Sequence, residues 1–527
     1  MEDTDPGTEM DADSDTRNAD TDTDSNESSS GLLQRFLDTV GRVGEWFSEW
    51  SLKYIPDPYA IAIILTFVTF AAVLGIGESP TDALGAWTDG IWTLLPFMAT
   101  LAFLLMAGDA IAKSPAVTRV LERIAAVPSS QFTAVAFTAF VAMAAALISW
   151  ALGLIVGATM AKRVGYEMKQ KDVKVHYPLL VAAGYTSLMA YGHGLTSSAA
   201  LIMADPALIP STFPDYTLDG IPLSRTIGNP ANIVSGILVV VFVPLLMGAM
   251  HPNRGPDIIE LPDSVEKDIA EVVEEMDKEK EPEPMHPEKP LPGRLRGHWR
   301  ELRHGEGLTV ADRLNNSRVL GLAIAFFPAY YFVDAIFLST GSLSLAGGLA
   351  GLTLNSINAI FLFVAIVLWT TPIRLVEQMK DSVQTISGII FQFPFYAGIA
   401  GLLTGTGLAE LLTRSLADVA TPLTWPILGI VVAGITNIFI PSGGGQWVAQ
   451  GPILLETTRE LGLPPELAVI IEMLGDQLTN MVQPFWAIPL LAIANLRARD
   501  IIGYTTVAMF LGYVIVGATL TVFFGLG

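Results

Sequence analysis

The sequence Asn437-Ile-Phe-Ile-Pro-Ser-Gly-Gly-Gly-Gln446 interrupts an otherwise apolar segment with a proline and three consecutive glycines. Apolar residues 430–435 precede it and the mostly apolar residues 447–455 follow it, so the whole run has a length typical of segments within lipid bilayers. A broken helix is tolerated at membrane depth only where its free backbone faces protein or a water-filled cavity. The glycine amides, with the side chains of Ser442 and Gln446, therefore form a candidate place to hold a small polar solute.

The composition of the whole chain is that of a membrane protein. Of its 527 residues, 51% are hydrophobic and 16% are charged, and the mean hydropathy is +0.48. A soluble protein of this size carries nearer a quarter charged residues. We therefore predict an all-α polytopic protein of the cell membrane, surrounded by the lipid bilayer. The chain has no cysteine, which excludes disulfides and thiol chemistry, and its six scattered histidines predict no metal site.

The net charge of −22 is concentrated in two stretches outside the apolar segments. Residues 1–50 begin with an acidic tail, and residues 251–317 form a second acidic segment, which we place in the cytoplasm. Both are predicted to be disordered and solvated, because such sequences bury too little apolar surface to fold. A solubility adaptation is favoured over a partner-binding tail. A nucleic-acid partner is disfavoured because acidic tails repel phosphate.

Lysines and arginines in the short loops predict how the chain is threaded through the membrane. Basic residues before the first apolar segment place the N-terminus in the cytoplasm. Residues 131–161 lie between two basic loops, so they cannot cross once, and two crossings would need about 40 residues. They are predicted to form a re-entrant hairpin that turns near Ser149. The same reasoning makes residues 421–457 a hairpin that enters from the outer side, with its break at the glycine run.

The order of crossing, hairpin and crossing thus occurs twice, with opposite orientation. The first copy lies in the membrane half 51–250 and the second in the membrane half 318–527. Leu152 and Ser442, at the two breaks, are 290 positions apart, close to the spacing of the elements that follow them. Inverted repeats with interrupted segments at corresponding positions indicate a secondary transporter with its site near the midplane. About nine full crossings are expected in all.

Polar residues cluster at these breaks and in the crossings that follow them. We expect the substrate to be bound by Ser149, Thr196, Ser197, Asn437, Ser442, Gly443, Gly444, Gly445, Gln446, Thr479 and Asn480. His193 and Asp476 are candidates for coupling, because ionisable residues inside a membrane mark ion or proton paths. Imidazole exchanges a proton near neutral pH, whereas a carboxylate beside hydroxyl and amide oxygens suits Na⁺. Four further carboxylates are placed nearer the interfaces: Asp109, Glu410, Glu456 and Glu472.

No lysine or arginine lies in these polar clusters or inside the hairpins. A di- or tricarboxylate would call for a bidentate arginine, whereas a single carboxylate can be held by helix N-termini and glycine amides. Aromatic residues such as Trp150, Trp447 and Trp486 either complete the pocket or form interfacial belts. The residues therefore predict an alternating-access carrier for a small, weakly charged and partly apolar solute.

At these same residues the sequence resembles the short-chain fatty acid transporter family, from about Ser51 to the C-terminus. The resemblance is carried by Leu94-Leu-Pro-Phe97, Gly192-His-Gly-Leu-Thr196, the glycine run with Trp447, Gly475-Asp-Gln-Leu-Thr-Asn480 and Gln483-Pro-Phe-Trp486. It implies uptake of small monocarboxylates such as acetoacetate or butyrate. It also implies paired re-entrant hairpins and cation-coupled, elevator-type movement. The acidic tail and loop are additions to the family pattern.

Other functions fit the residues less well. The nearest alternative is an ion-coupled carrier of another small organic anion or of an amino-acid-like solute. An intramembrane enzyme would need a nucleophile with its base or a metal cluster, and the sequence contains no HExxH, no GxSxG and no paired intramembrane aspartates. A channel or a sensor would not need inverted hairpins. No cofactor is expected beyond a coupling Na⁺ or H⁺, and the sequence leaves open the carried acid and any homo-oligomer.

Overall fold

The computed structural model describes, apart from a few isolated positions, residues 58–93, 95–206, 220–252, 258–267, 309–338 and 352–526. All regular structure in these ranges is helical, and no strand occurs within them. The prediction of an all-α protein is thereby confirmed. The acidic tail 1–50, its predicted cytoplasmic orientation and most of the acidic loop 251–317 lie outside the described residues.

The first membrane half contains nine α-helices in its described part. They are α1 (Pro58–Gly75), α2 (Pro80–Gly90), α3 (Leu95–Ala112), α4 (Pro115–Ala125), α5 (Gln131–Ala146), α6 (Trp150–Gln170), α7 (Tyr177–Tyr185), α8 (Ser198–Ala204) and α9 (Pro230–Ala249). Serine side chains accept from first-turn amides at the starts of α2, α4 and α5, which satisfies donors that a helix leaves free. Proline in the first turn of α2 and α4 fits the same positions.

From Val310 onward the described chain contains eleven α-helices. They are α10 (Val310–Asn315), α11 (Arg318–Ile324), α12 (Phe326–Val333), α13 (Leu354–Trp369), α14 (Pro372–Thr404), α15 (Leu408–Val419), α16 (Trp425–Phe439), α17 (Gly443–Glu460), α18 (Glu466–Thr479), α19 (Pro484–Ala494) and α20 (Ile502–Leu520). Short 3₁₀ turns cover Thr186–Met189 and Tyr191–His193 between α7 and α8, and Asn480–Val482 between α18 and α19.

Both predicted hairpins correspond to two helices joined by a three-residue break. Residues 147–149 join α5 to α6, and residues 440–442 join α16 to α17. A side chain at Gly153 would meet Ala146 at 2.5 Å, so glycine lets the two arms of the first pair approach closely. The second arms extend past the predicted hairpin ends, to Gln170 and Glu460, where the sequence is more polar.

Three described helices are long and apolar enough to cross a membrane, and the number rises to five if each of two bent helix pairs is one span. The three are Pro230–Ala249, Arg318–Leu338 and Ile502–Gly525. The bent pairs are α3 with α4, at 54°, and α14 with α15, at 75°. Several apolar segments of the sequence are divided into helices that are too short to count, such as α7 and α8. The nine crossings therefore stay a prediction.

The same order of four elements occurs in both halves. A bent pair (α3–α4, α14–α15) is followed by two helices joined at a three-residue break (α5–α6, α16–α17). Next comes a helix broken by 3₁₀ turns (α7–α8, α18–α19), and then a long apolar helix (α9, α20). The breaks lie against one another, since the 3₁₀ turns of the two broken helices are in contact. Irregular backbone from both halves therefore meets in one place.

Candidate functional site

A cavity lies where the breaks of the two halves meet. It contains about 440 Å³ of empty space, including its opening to solvent. Its lining residues are Leu101, Leu105, Trp150, Leu188, Tyr191, Ser198, Ser442, Gly443, Gly444, Asn480 and Trp486. One wall is apolar, with Trp150 and Trp486 edge to face at 5.2 Å between ring centroids. Another part of the lining is the N-terminus of α17, and no lysine or arginine is among the lining residues that the structure describes.

The N-terminus of α17 presents free backbone amides to this cavity. Ser442 is extended (φ −158°, ψ 105°), and its hydroxyl accepts from the Gly445 amide at 3.4 Å. The amides of Gly443 and Gly444 have no acceptor within the helix, because a first turn leaves such groups unpaired. A side chain at Gly445 would meet the ring of Tyr396 at 2.7 Å, so packing requires glycine there. An anion is the ligand that free first-turn amides favour.

The N-terminus of α6 is a more closed counterpart of this site. Ser149 is again extended (φ −156°, ψ 133°), but its side chain makes no capping hydrogen bond. The amide of Trp150 donates to the hydroxyl of Thr196 at 3.2 Å, and the Leu195 amide donates to the carbonyl of Leu147 at 2.8 Å. The broken helix α7–α8 thus covers this tip. Ser149, Thr196 and Ser197 are buried there and do not line the cavity.

Asn437 connects the end of α16 to the break after α18. Its Nδ2 has three acceptors for its two hydrogens: the carbonyl of Asp476 at 2.8 Å, Thr479 Oγ1 at 2.9 Å and Asn480 Oδ1 at 2.8 Å. Its Oδ1 is buried without a hydrogen-bond partner. Gln446 lies behind the tip and donates to the carbonyl of Ala433 at 2.8 Å. Asn437, Thr479 and Gln446 therefore shape the site, while Asn480 also reaches the cavity wall.

The carboxyl of Asp476 lies beside the tip of α17. The residue is 2% exposed, and its Oδ2 has no hydrogen-bond partner. A Cβ placed on Gly443 would be 3.2 Å from that oxygen and 3.2 Å from the hydroxyl of Tyr191. Within the described part of the chain no basic side chain forms a salt bridge with Asp476. A buried, unpaired carboxyl oxygen is thus in place next to the free amides.

His193 is held in the interior by amide side chains on both ring nitrogens. Its Nδ1–H donates to Asn232 Oδ1 at 2.9 Å, and its Nε2 lies 2.9 Å from Gln477 Nε2. The Gln477 amide is oriented by its Oε1, which accepts from the Gly192 amide, so its nitrogen must donate to the histidine. The network therefore fixes a neutral ring that joins α9 to α18.

The structure brings together part of the predicted site. Ser442, Gly443, Gly444 and Asn480 line the cavity, and Asp476 lies beside it. Tyr191 and Ser198 also line it, although the sequence analysis did not select them. Both belong to the polar run 191–198 around His193, and that position was the sequence signal for a place in the site.

Glu472, which was placed nearer the interface, is 1% exposed, and its Oε1 has no hydrogen-bond partner. Its position four residues before Asp476, on the same face of a helix, was the sequence signal that could have identified it as a second carboxyl group beside the site.

Comparison with known proteins gives a consistent result. Residues 39–523 match the family described as "Short chain fatty acid transporter". A Haemophilus influenzae protein named "Putative short-chain fatty acid transporter" is 30% identical over 474 residues, which cover 89% of this chain and 97% of that protein. An Escherichia coli protein with the same name is 29% identical, covering 92% of this chain and 100% of that protein. The crystal structure of the Alcanivorax borkumensis YdaH transporter is similar in fold, with a TM-score of 0.51 at 15% identity over 88% of this chain and 98% of that one.

Proposed function

Because the chain belongs to the short chain fatty acid transporter family, we propose that it carries small monocarboxylates, such as acetoacetate or butyrate, across the cell membrane. The observation that supports this most directly is the cavity, which joins an apolar wall to a helix N-terminus with free amides. Those two surfaces match the two ends of a short fatty acid. It acts as a transporter and not as an enzyme.

In the proposed complex the carboxylate is bound by the amides of Gly443 and Gly444 and by the hydroxyl of Ser442. The positive end of the α17 dipole adds to these hydrogen bonds. The alkyl part lies against the apolar wall, which includes Leu101 and Trp150. A second carboxylate would find no lysine or arginine among the described lining residues, which favours monoanions.

The movement that we propose is elevator-type alternating access between two inverted repeats. The recurrence of four elements in the same order supports the repeats. The two three-residue breaks, with their extended serines, support two re-entrant hairpins whose tips enclose the substrate. Loose backbone at membrane depth suits such a site, because it faces protein and a cavity instead of lipid.

Coupling to a cation, Na⁺ or H⁺, is proposed to involve Asp476. Its Oδ2 is buried, unpaired and next to the amides that bind the substrate. His193 is less suited, because both ring nitrogens are engaged in one neutral arrangement and a second ring proton would face the Gln477 amide nitrogen. We therefore propose that His193 positions α9 against α18 and that Asp476 binds the cation.

A second substrate class follows from the same geometry. An amino-acid-like solute could place its carboxylate on α17 and its ammonium group on the unpaired oxygen of Asp476, which lies beside Gly443. Counterflow of labelled acetoacetate into proteoliposomes preloaded with candidate solutes separates the two classes. Preloaded butyrate or acetoacetate should drive accumulation well above protein-free liposomes. Counterflow of labelled 4-aminobutyrate, with no accumulation of labelled acetoacetate under any preload, would refute the fatty acid proposal.

A further inference from the structure

Two buried carboxyl groups follow one another along α18. Glu472 is one helical turn before Asp476, and the side chains of residues four apart lie on the same face, with Cβ atoms about 6 Å from each other. Glu472 is 1% exposed and Asp476 is 2% exposed. Each has one carboxyl oxygen without a hydrogen-bond partner. Such a pair inside a membrane protein calls for a positive charge or a proton.

Among the described parts of the chain, the elements that pack against α18 supply no cation to this pair. They are α8, α16, α17, α20 and the 3₁₀ turns Thr186–Met189, Tyr191–His193 and Asn480–Val482. The ionisable residues on them are Tyr191, His193, Glu456, Arg459, Glu460, Tyr504 and Tyr513. Arg459 pairs with Glu456, and His193 has both ring nitrogens on amides. At the first turn of α18, Glu466 pairs with Arg225 at 2.6 Å.

Substrate binding would increase the need for a positive charge at this pair. The proposed position of the substrate carboxylate is at the amide of Gly443. A Cβ added to Gly443 would lie 3.2 Å from Asp476 Oδ2, so this oxygen is close to that position. Two like charges so close in a buried site cannot both remain ionised. A metal ion needs several oxygen ligands at once, whereas a proton needs one. One proton can therefore be held by the two carboxyl groups alone.

We propose that Glu472 and Asp476 form a proton-binding carboxyl pair and that the carrier is coupled to H⁺. This inference rests on the proposed transport of monocarboxylates. One proton binds the pair from the water on one side together with one substrate anion. Both are released on the other side, so the two charges balance and the cycle is electroneutral. Asp476 contacts the substrate region, and Glu472 shares the proton one turn away.

Calorimetry of the purified full-length protein tests the pair without depending on transport. Acetoacetate is titrated at constant pH in Na⁺-free buffers of different ionisation enthalpy, which gives the number of protons bound per ligand. The wild type should take up close to one proton. Glu472→Gln should reduce that number at least twofold while Kd changes less than threefold. The exposed matched control Glu410→Gln should equal the wild type.

The outcomes separate this inference from the proposed function. Binding without proton uptake, binding that requires Na⁺, or equal proton uptake by wild type and Glu472→Gln would each overturn the proton pair and leave the carrier intact. No binding of any monocarboxylate would overturn both. If Glu472→Gln does not fold, the wild-type proton count still decides, and Glu472→Asp should retain proton uptake because it keeps a carboxyl group.

Discussion

Gly443→Val is the substitution that most sharply tests substrate binding at α17. The new Cβ would lie 3.2 Å from Asp476 Oδ2 and from the Tyr191 hydroxyl, so neighbours must move by a few tenths of an ångström. The branched side chain would also cover the free amides of Gly443 and Gly444. A hydrogen bond to a charged group contributes about 1.5–3 kcal/mol. Since 1.4 kcal/mol is tenfold in affinity, losing one such bond weakens substrate binding about 10- to 100-fold.

The assay is the initial rate of labelled acetoacetate counterflow in proteoliposomes, measured against substrate concentration. Gly75→Val is the matched control, because a Cβ on Gly75 meets nothing within 4 Å. The control should keep the wild-type KM, while Gly443→Val should raise it at least tenfold. Size-exclusion profiles establish that both variants are folded. A KM within twofold of wild type for a folded Gly443→Val protein would refute binding at this tip.

Three further predictions concern buried polar side chains in the structure. Asn437→Ala removes the two buried hydrogen bonds that its amide group can donate at one time and should lower the free energy of unfolding by about 2 kcal/mol, whereas the exposed Asn316→Ala should not; equal thermal midpoints would contradict this. His193→Gln should slow counterflow without changing its pH profile, because the native ring stays neutral; a shifted profile would assign the proton to His193. Burial lowers the pKa of His251 below its usual 6.5, so the contribution of this residue to stability is complete above that pH and is lost as the pH falls towards the folded-state pKa. The His251 ring accepts the backbone N–H of His176, and the His176 ring accepts the amide of Ile259. Protonation of His251 removes the first of these bonds, so amide hydrogen exchange at Ile259, corrected for intrinsic rates, should accelerate as the pH falls from about 7.5 to 5.5. An unchanged corrected rate would refute the link.

The positions of the two breaks could be predicted from sequence, because glycine, proline and serine have local effects on helices. Ser149 and Ser442 are indeed the N-cap residues immediately before α6 and α17. Free amides at the second tip follow from the same local chemistry. Helix ends were less predictable, since α6 and α17 continue into polar sequence, where hydropathy gives no signal.

Residue roles that depend on distant partners could not be predicted. The hydroxyl of Thr196, a predicted substrate ligand, accepts from the amide of Trp150, 46 positions away. The burial of Glu472 could not be predicted, because hydropathy does not show which face of a helix other helices cover. Gln477 was not among the predicted site residues, although it fixes the neutral form of His193. Such contacts depend on packing between elements that are far apart in the chain.

A structure of the purified protein with saturating acetoacetate tests the central claim most directly. The account predicts density for the ligand in the cavity between α6, α17 and the two broken helices. Its carboxylate should lie about 3 Å from the amide nitrogens of Gly443 and Gly444, with the acyl part towards Trp150. A ligand bound elsewhere, or one whose carboxylate points away from the α17 N-terminus, would contradict the account.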